Sequence, residues 1–60
     1  MELYREGTLL RFDGELWMIM GRCTRSPNFH RYILQRLADS FIFQPVYVLV
    51  HREMELASEA

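Results

Sequence analysis

The 60-residue chain has no lysine and one cysteine, and no apolar run in it exceeds five residues. Each shortage excludes something. With Cys23 alone, no disulfide can form within the chain, and a lone thiol fits a reducing compartment. Cys23, His30 and His51 do not make a paired ligand spacing, so no metal site is expected. A membrane span needs about 20 apolar residues. The opening residues lack a basic stretch followed by an apolar run and a cleavage site. The expected setting is therefore cytoplasmic, with no membrane partner. The three glycines, at 7, 14 and 21, form neither a dinucleotide fingerprint nor a phosphate-cradling loop. No nucleophile elbow or paired-histidine helix occurs either, so the sequence implies no enzyme, no cofactor and no small-molecule substrate.

What is present is apolar mass. Half of the residues are hydrophobic and 13% are aromatic, which excludes a disordered chain. A chain this short buries a modest core, so one domain is expected, with a core over 3–51 and a helical tail over 52–60. Small domains add disulfides, a metal or a partner subunit. With the first two excluded, a homo-oligomer is the expected supplement.

Net charge is −1, which gives no overall pull toward nucleic acid. The distribution is segregated. Residues 1–15 sum to −2, residues 16–38 carry four arginines and no acid, and residues 39–60 sum to −3. Arg22, Arg25, Arg31 and Arg36, interleaved with Phe29 and Tyr32, are the candidate nucleic-acid contacts. Guanidiniums neutralise phosphates, and exposed aromatic rings stack on unpaired bases. A solvated arginine-rich loop or a protein contact is the plainer alternative.

The clearest local signal is Thr8–Phe12, Asp13-Gly14, Glu15–Met20. An Asp-Gly pair between two β-rich runs predicts a tight hairpin, because both turn residues tolerate positive φ. A two-residue loop sets Phe12 against Glu15, Leu10 against Trp17 and Thr8 against Ile19. Leu10, Phe12, Trp17 and Ile19 then share a core face. The reverse face carries Leu9, Arg11, Leu16, Met18 and Met20, too apolar for a plainly wet surface. Trp17, Met18 and Met20 are the candidate protein-interface residues. Gly21 marks a bulge or strand end.

Ser26-Pro27-Asn28 breaks the chain. Residues 29–38 read as a strand after that turn, or as a helix over 27–39 that would give a ββαβ, α+β fold. Asp39-Ser40 is a turn. Phe41–Phe43 and Val46–Val50 read as strands from their aromatic and β-branched content, with Pro45 as a break between them. Arg52–Ala60 reads as a short helix docked through Met54 and Leu56 or Ala57. Asp13 and Glu15 read as a solvated turn rather than an acid/base pair, and Cys23 as a small apolar filler.

Two resemblances add to this. Gly7–Met20 followed by Tyr32–Leu37 resembles the small SH3-like barrels of phage, plasmid and transposase accessory proteins. That likeness implies a binding module from a mobile element, with no catalytic residue to carry over. Val48–Glu53 is similar to the last strand and helix start of the carbon storage regulator family of RNA-binding dimers, and Arg5 with Gly7–Leu9 resembles that family's basic first strand. It implies RNA contacts by Arg5 and Arg52. The stretch 22–47 is long for that family, and Leu37-Ala-Asp-Ser40 stands where it has Ala-Pro-Lys-Glu.

The expectation is thus a mostly β domain, an antiparallel SH3-like barrel or meander with a short C-terminal helix. It would act as a regulator or accessory factor that contacts nucleic acid or a protein partner.

Overall fold

The computed structural model describes residues 2–26 and 29–60, apart from the side chains of 24–26 and 29. The hairpin forms in the register its turn dictates. Strand β1 (Leu9–Phe12) pairs with β2 (Glu15–Ser26), with Phe12 against Glu15 and Leu10 against Trp17. Asp13 and Gly14 take φ of 55° and 75°, the left-handed pair that matches the twist of the flanking strands. Ile19 donates its amide to the Thr8 carbonyl at 2.9 Å, which continues the register past the strand end.

The ladder extends through β3 (Phe29–Arg36), so the strand reading of 29–38 holds and the ββαβ alternative with a helix over 27–39 does not. Alternation decides it: Tyr32 and Leu34 are fully buried while Arg31 is exposed and Ile33 half-exposed, a period of two that a helix could not give. Between Ile19 and Gly21 the β2–β3 register shifts, the bulge that Gly21 suggested, and it bends the long strand. The turn at Pro27-Asn28 lies outside the described residues. After the turn at residues 37–39, Ser40 sits at φ 65° and donates its amide to the Arg36 carbonyl. A two-residue strand, β4 (Ile42–Phe43), then pairs with β3.

The C-terminal third reverses the expected order. Val46–Val50 is not a strand and 52–60 is not a helix. The short helix comes first, α1 (Tyr47–Glu53), and a strand follows, β5 (Glu55–Ser58), antiparallel to β1. The reason is the spacing of large residues across the assumed boundary. Tyr47, Val50 and Met54 fall at i, i+3 and i+7, and all three are buried, while Val48 and Leu49 point outward. Met54 is buried as expected, but Leu56 and Ala57, expected to dock with it, are exposed on β5. Residues 55–58 become a strand because the free edge of β1 offers them a ladder, whereas a few isolated helical residues have nothing to hold them.

The sheet order is β4-β3-β2-β1-β5, with all pairings antiparallel. It is an open sheet in which β1 to β4 form a meander and the connection through α1 crosses over to place β5 beside β1. The SH3-like barrel is not closed: β4 and β5 remain opposite edges, and a two-residue β4 offers too few ladder positions for the edges to join. One face of the sheet is covered by α1 and by Leu3 and Tyr4. Between them lies the core of Leu10, Trp17, Ile19, Tyr32, Leu34, Tyr47, Val50 and Met54, with Phe12 and Phe43 packed against it. Among the described residues no helix is long and apolar enough to cross a membrane.

Candidate functional site

Two regions carry more than packing: an aromatic joint on the covered side and the bare reverse face of the sheet. The joint gathers residues from three distant stretches. Tyr4 in the N-terminal segment stacks on His51 of α1 at 4.4 Å between centroids and 9° between planes. Tyr32 of β3 lies between them and Tyr47, 4.4 Å from the latter. The Tyr32 hydroxyl accepts the Tyr4 backbone N–H at 3.0 Å, which leaves its own proton for His51 Nε2 at 2.7 Å. Burial pushes the Tyr32 phenol above its ordinary value and holds the His51 imidazole below its own. A neutral imidazole accepting from a neutral phenol is a structural hydrogen bond between helix and sheet. Beside it opens a cleft of about 510 Å³ bordered by Leu3, Arg22, His30 and Tyr47. Among the described residues no group of His, Cys, Asp and Glu is placed to hold a metal.

The reverse face is built by the strand register. Leu9 pairs with Met18, Met18 with Gln35, and Gln35 with Ile42, so one row crosses four strands. Leu16 lies below this row against Arg11, and Met20 and Gly21 lie above it against Ile33. Among the described residues none belongs to a core over this face. Leu16, Met20 and Ile42 are 38%, 45% and 46% exposed, which for such side chains on one face is an uncovered apolar patch. Its charges are sparse. Arg11 has Glu55 as its register neighbour on β5, and Arg31 donates from Nη1 to the Gln44 carbonyl at 2.8 Å.

The predicted interface residues divide between the two faces. Met18 and Met20 lie on the bare face. Trp17 does not: it is 6% exposed, in the core, edge-on to Phe41 and tilted against Phe43. Alternation along β2 allows no other outcome once Leu10 opposite is buried.

The predicted nucleic-acid arginines also separate. Arg22 sits at the end of the covered face by Tyr32, whereas Arg31 belongs to the reverse face. Arg36, opposite Trp17, is engaged at the far end. It pairs with Asp39 at 2.7 Å and Glu15 at 3.1 Å, and its guanidinium lies over the Trp17 and Phe41 rings. Those bonds drive its pKa further up, while the same pair draws Asp39 down to about 2. The Arg25 side chain lies outside the described residues.

Sequence reasoning found Leu9, Leu16, Met18 and Met20 through the hairpin. It missed Ile33, Gln35 and Ile42, because their facing depends on the long-range β2–β3 register, which Gly21 as a bulge marker does not by itself set. It also missed the Tyr4–Tyr32–His51 joint, whose members are 28 and 19 residues apart. Compared with known proteins, the chain matches no family model, no curated protein and no solved structure.

Proposed function

We propose that the protein is a non-catalytic interaction module that engages a protein partner through the bare face of its sheet. The observation that carries this is the row Leu9–Met18–Gln35–Ile42 with Leu16, Met20 and Ile33 around it, apolar apart from Gln35, with Leu16, Met20 and Ile42 each more than a third exposed. A soluble domain seldom leaves a contiguous apolar patch of this kind without a partner for it. Methionine suits the role, because its flexible thioether adapts to an opposing surface.

Contact with nucleic acid through Arg22, Arg25, Arg31 and Arg36 has less support. Arg36 is already neutralised by two carboxylates, and Arg22 and Arg31 face opposite ways. Phosphate binding is additive in free cations on one surface.

A photo-reactive residue placed at position 33, compared with one at 48 on the outer side of α1, tests the proposal in cells. Protein adducts are expected from position 33 and not from 48. Adducts to nucleic acid alone, or equal protein yields from both positions, overturn it.

A further inference from the structure

We infer that the cleft beside the aromatic joint is a binding site for a small phosphate monoester, held by Arg22, His30 and Tyr47. It lies on the covered side of the sheet, so it stands or falls apart from the bare face. Strand register assembles it. Arg22 is opposite Tyr32 and therefore shares its face. His30, two residues before Tyr32 on β3, takes that face as well. It stacks on Tyr47 of α1, with ring centroids 5.6 Å apart and planes 21° apart. Together with Leu3 of the N-terminal segment these residues border about 510 Å³. Small-molecule sites occupy about 300–1,000 Å³.

Three features of the lining select an oxyanion. The first is charge. No carboxylate borders the cleft. Among the described residues the ion pairs are those of Arg36, so Arg22 presents an exposed charge with no acid to neutralise it. β2 beyond Glu15 and the whole of β3 contain no acid either. Glu2 borders a separate cleft on the Tyr4–His51 side, and the Glu6 carboxylate approaches Gly21. The second is an unused polar group. Tyr47 is only 9% exposed, and among the described residues its hydroxyl has no hydrogen-bond partner. Polar groups so deeply placed are ordinarily bonded, and a ligand oxygen in the cleft would supply the bond. The third is the kind of donor. A guanidinium offers a planar fork to two oxygens, and an imidazole and a phenol offer one bond each. That set suits the three terminal oxygens of a phosphate monoester better than the two of a carboxylate. Leu3 and the stacked rings leave an apolar wall for the organic remainder of the ligand.

Titration of the isotope-labelled chain with phenyl phosphate at low ionic strength, followed by NMR, tests the inference. Inorganic phosphate, phenol and a single-stranded oligonucleotide serve as comparison probes. The expected result is saturable shifts at Arg22, His30, Tyr47 and their neighbours at millimolar phenyl phosphate, with weaker binding of inorganic phosphate and of phenol. Arg22→Gln should weaken binding about tenfold, and Tyr47→Phe should weaken it less. Arg11→Gln, on the reverse face, should leave it unchanged. Both arginines are exposed, so neither substitution threatens the fold. A titration that does not saturate in the tens of millimolar overturns the inference. So do shifts spread over the arginines of both faces, phenol binding as tightly as phenyl phosphate, or an Arg22→Gln chain of unchanged affinity. An oligonucleotide that displaces phenyl phosphate at lower concentration also overturns it, and would make Arg22 a contact to a nucleic-acid backbone instead.

Discussion

The two faces of one sheet are made from alternate residues of the same strands, yet they obey different rules. On the covered face Leu34, Ile19 and Leu10 are at most 1% exposed, and the polar atoms of Tyr32 and His51 are bonded to each other. On the reverse face, one residue along, Ile33 and Met18 are half-buried by their strand neighbours alone and Met20 is 45% exposed. Buried side chains are concentrated on one side and exposed apolar side chains on the other. The comparison shows that hydrophobicity alone did not decide what became core. The short helix and the N-terminal segment did, by covering one side and not the other.

The adjacent pair Leu34 and Ile33 exposes this difference most directly. Leu34→Ala empties a fully buried site and should cost about 3 kcal/mol. That would leave about 0–2 kcal/mol of the ~3–5 kcal/mol a core of this size supplies, so the variant should be marginal, with up to about half of it unfolded at room temperature. Ile33→Ala should cost less than about 1 kcal/mol in the dilute chain, because the side chain has cover only from its neighbours. Urea denaturation followed by Trp17 fluorescence measures both. Equal losses for the two would end the distinction between the faces.

The joint on the covered face predicts the next largest effect. Tyr32→Phe keeps the ring and removes the hydroxyl, leaving the Tyr4 amide and His51 Nε2 without their partner. The expected cost is about 1–2 kcal/mol, and amide exchange at Tyr4 should accelerate. An unchanged denaturation midpoint would mean that the aromatic stack alone holds the N-terminal segment. The same joint gives a pH dependence. His51 in the folded chain titrates below its ordinary 6.5, with burial as the leading cause. The unfolded chain therefore binds more protons in that window, and stability is complete above about pH 6.5 and falls as the solution is acidified through it. In His51→Gln this limb of the stability curve should vanish. If it persists, another group supplies it.

The legibility of these features in the sequence follows the range of the interactions that make them. The Asp13-Gly14 turn is local, and with it came the register of β1 on β2, the buried row Leu10–Trp17 and the apolar character of the opposite face. The strand state of 29–36 was one of two readings the residues allowed, and the ladder to β2 decided it. The end of the chain did not. Val46–Val50 has strand composition, but Tyr47, Val50 and Met54 share a helical face that becomes visible only when Pro45 is taken as the start of the segment rather than as an interruption between two strands. The strand at 55–58 has no sequence signal of its own; it exists because β1 has an edge to offer. The three bare-face residues from β3 and β4 were hidden for a similar reason, since the bulge at Met20-Gly21 shifts which residues of β3 oppose β2.

A smaller effect tests the turn that leads to β4. Ser40 holds φ 65°, in the left-handed region where a side chain is unfavourable and glycine is not. Ser40→Gly should stabilise the fold by ~0.5 kcal/mol, the relief of strain being partly offset by the greater freedom of glycine in the unfolded chain. A loss of stability would show that the serine side chain contributes to the turn more than its backbone costs.

The smallest expected effect lies at the rim where the covered face meets solvent. Arg36 lies across Trp17 and Phe41 and is fixed there by Asp39 and Glu15. Its position matters more than its charge, because the guanidinium plane shields the exposed margin of the indole. Both carboxylates are accessible to water, so the ion pairs themselves contribute little. Asp39 is nevertheless held down to about 2 from an ordinary 3.8, first by the Arg36 hydrogen bonds and then by the Phe41 amide. A depressed carboxylate adds stability that is whole above about pH 4 and is lost as pH falls through about 2. The acid limb of unfolding should therefore be shallower in Asp39→Asn, while the near-neutral limb set by His51 is untouched. Trp17 emission should shift to the red in that variant if the guanidinium leaves the ring. An unshifted spectrum would mean that Glu15 together with stacking on Trp17 and Phe41 holds Arg36 without Asp39, and that the Asp39 pair is a consequence of this geometry rather than its cause.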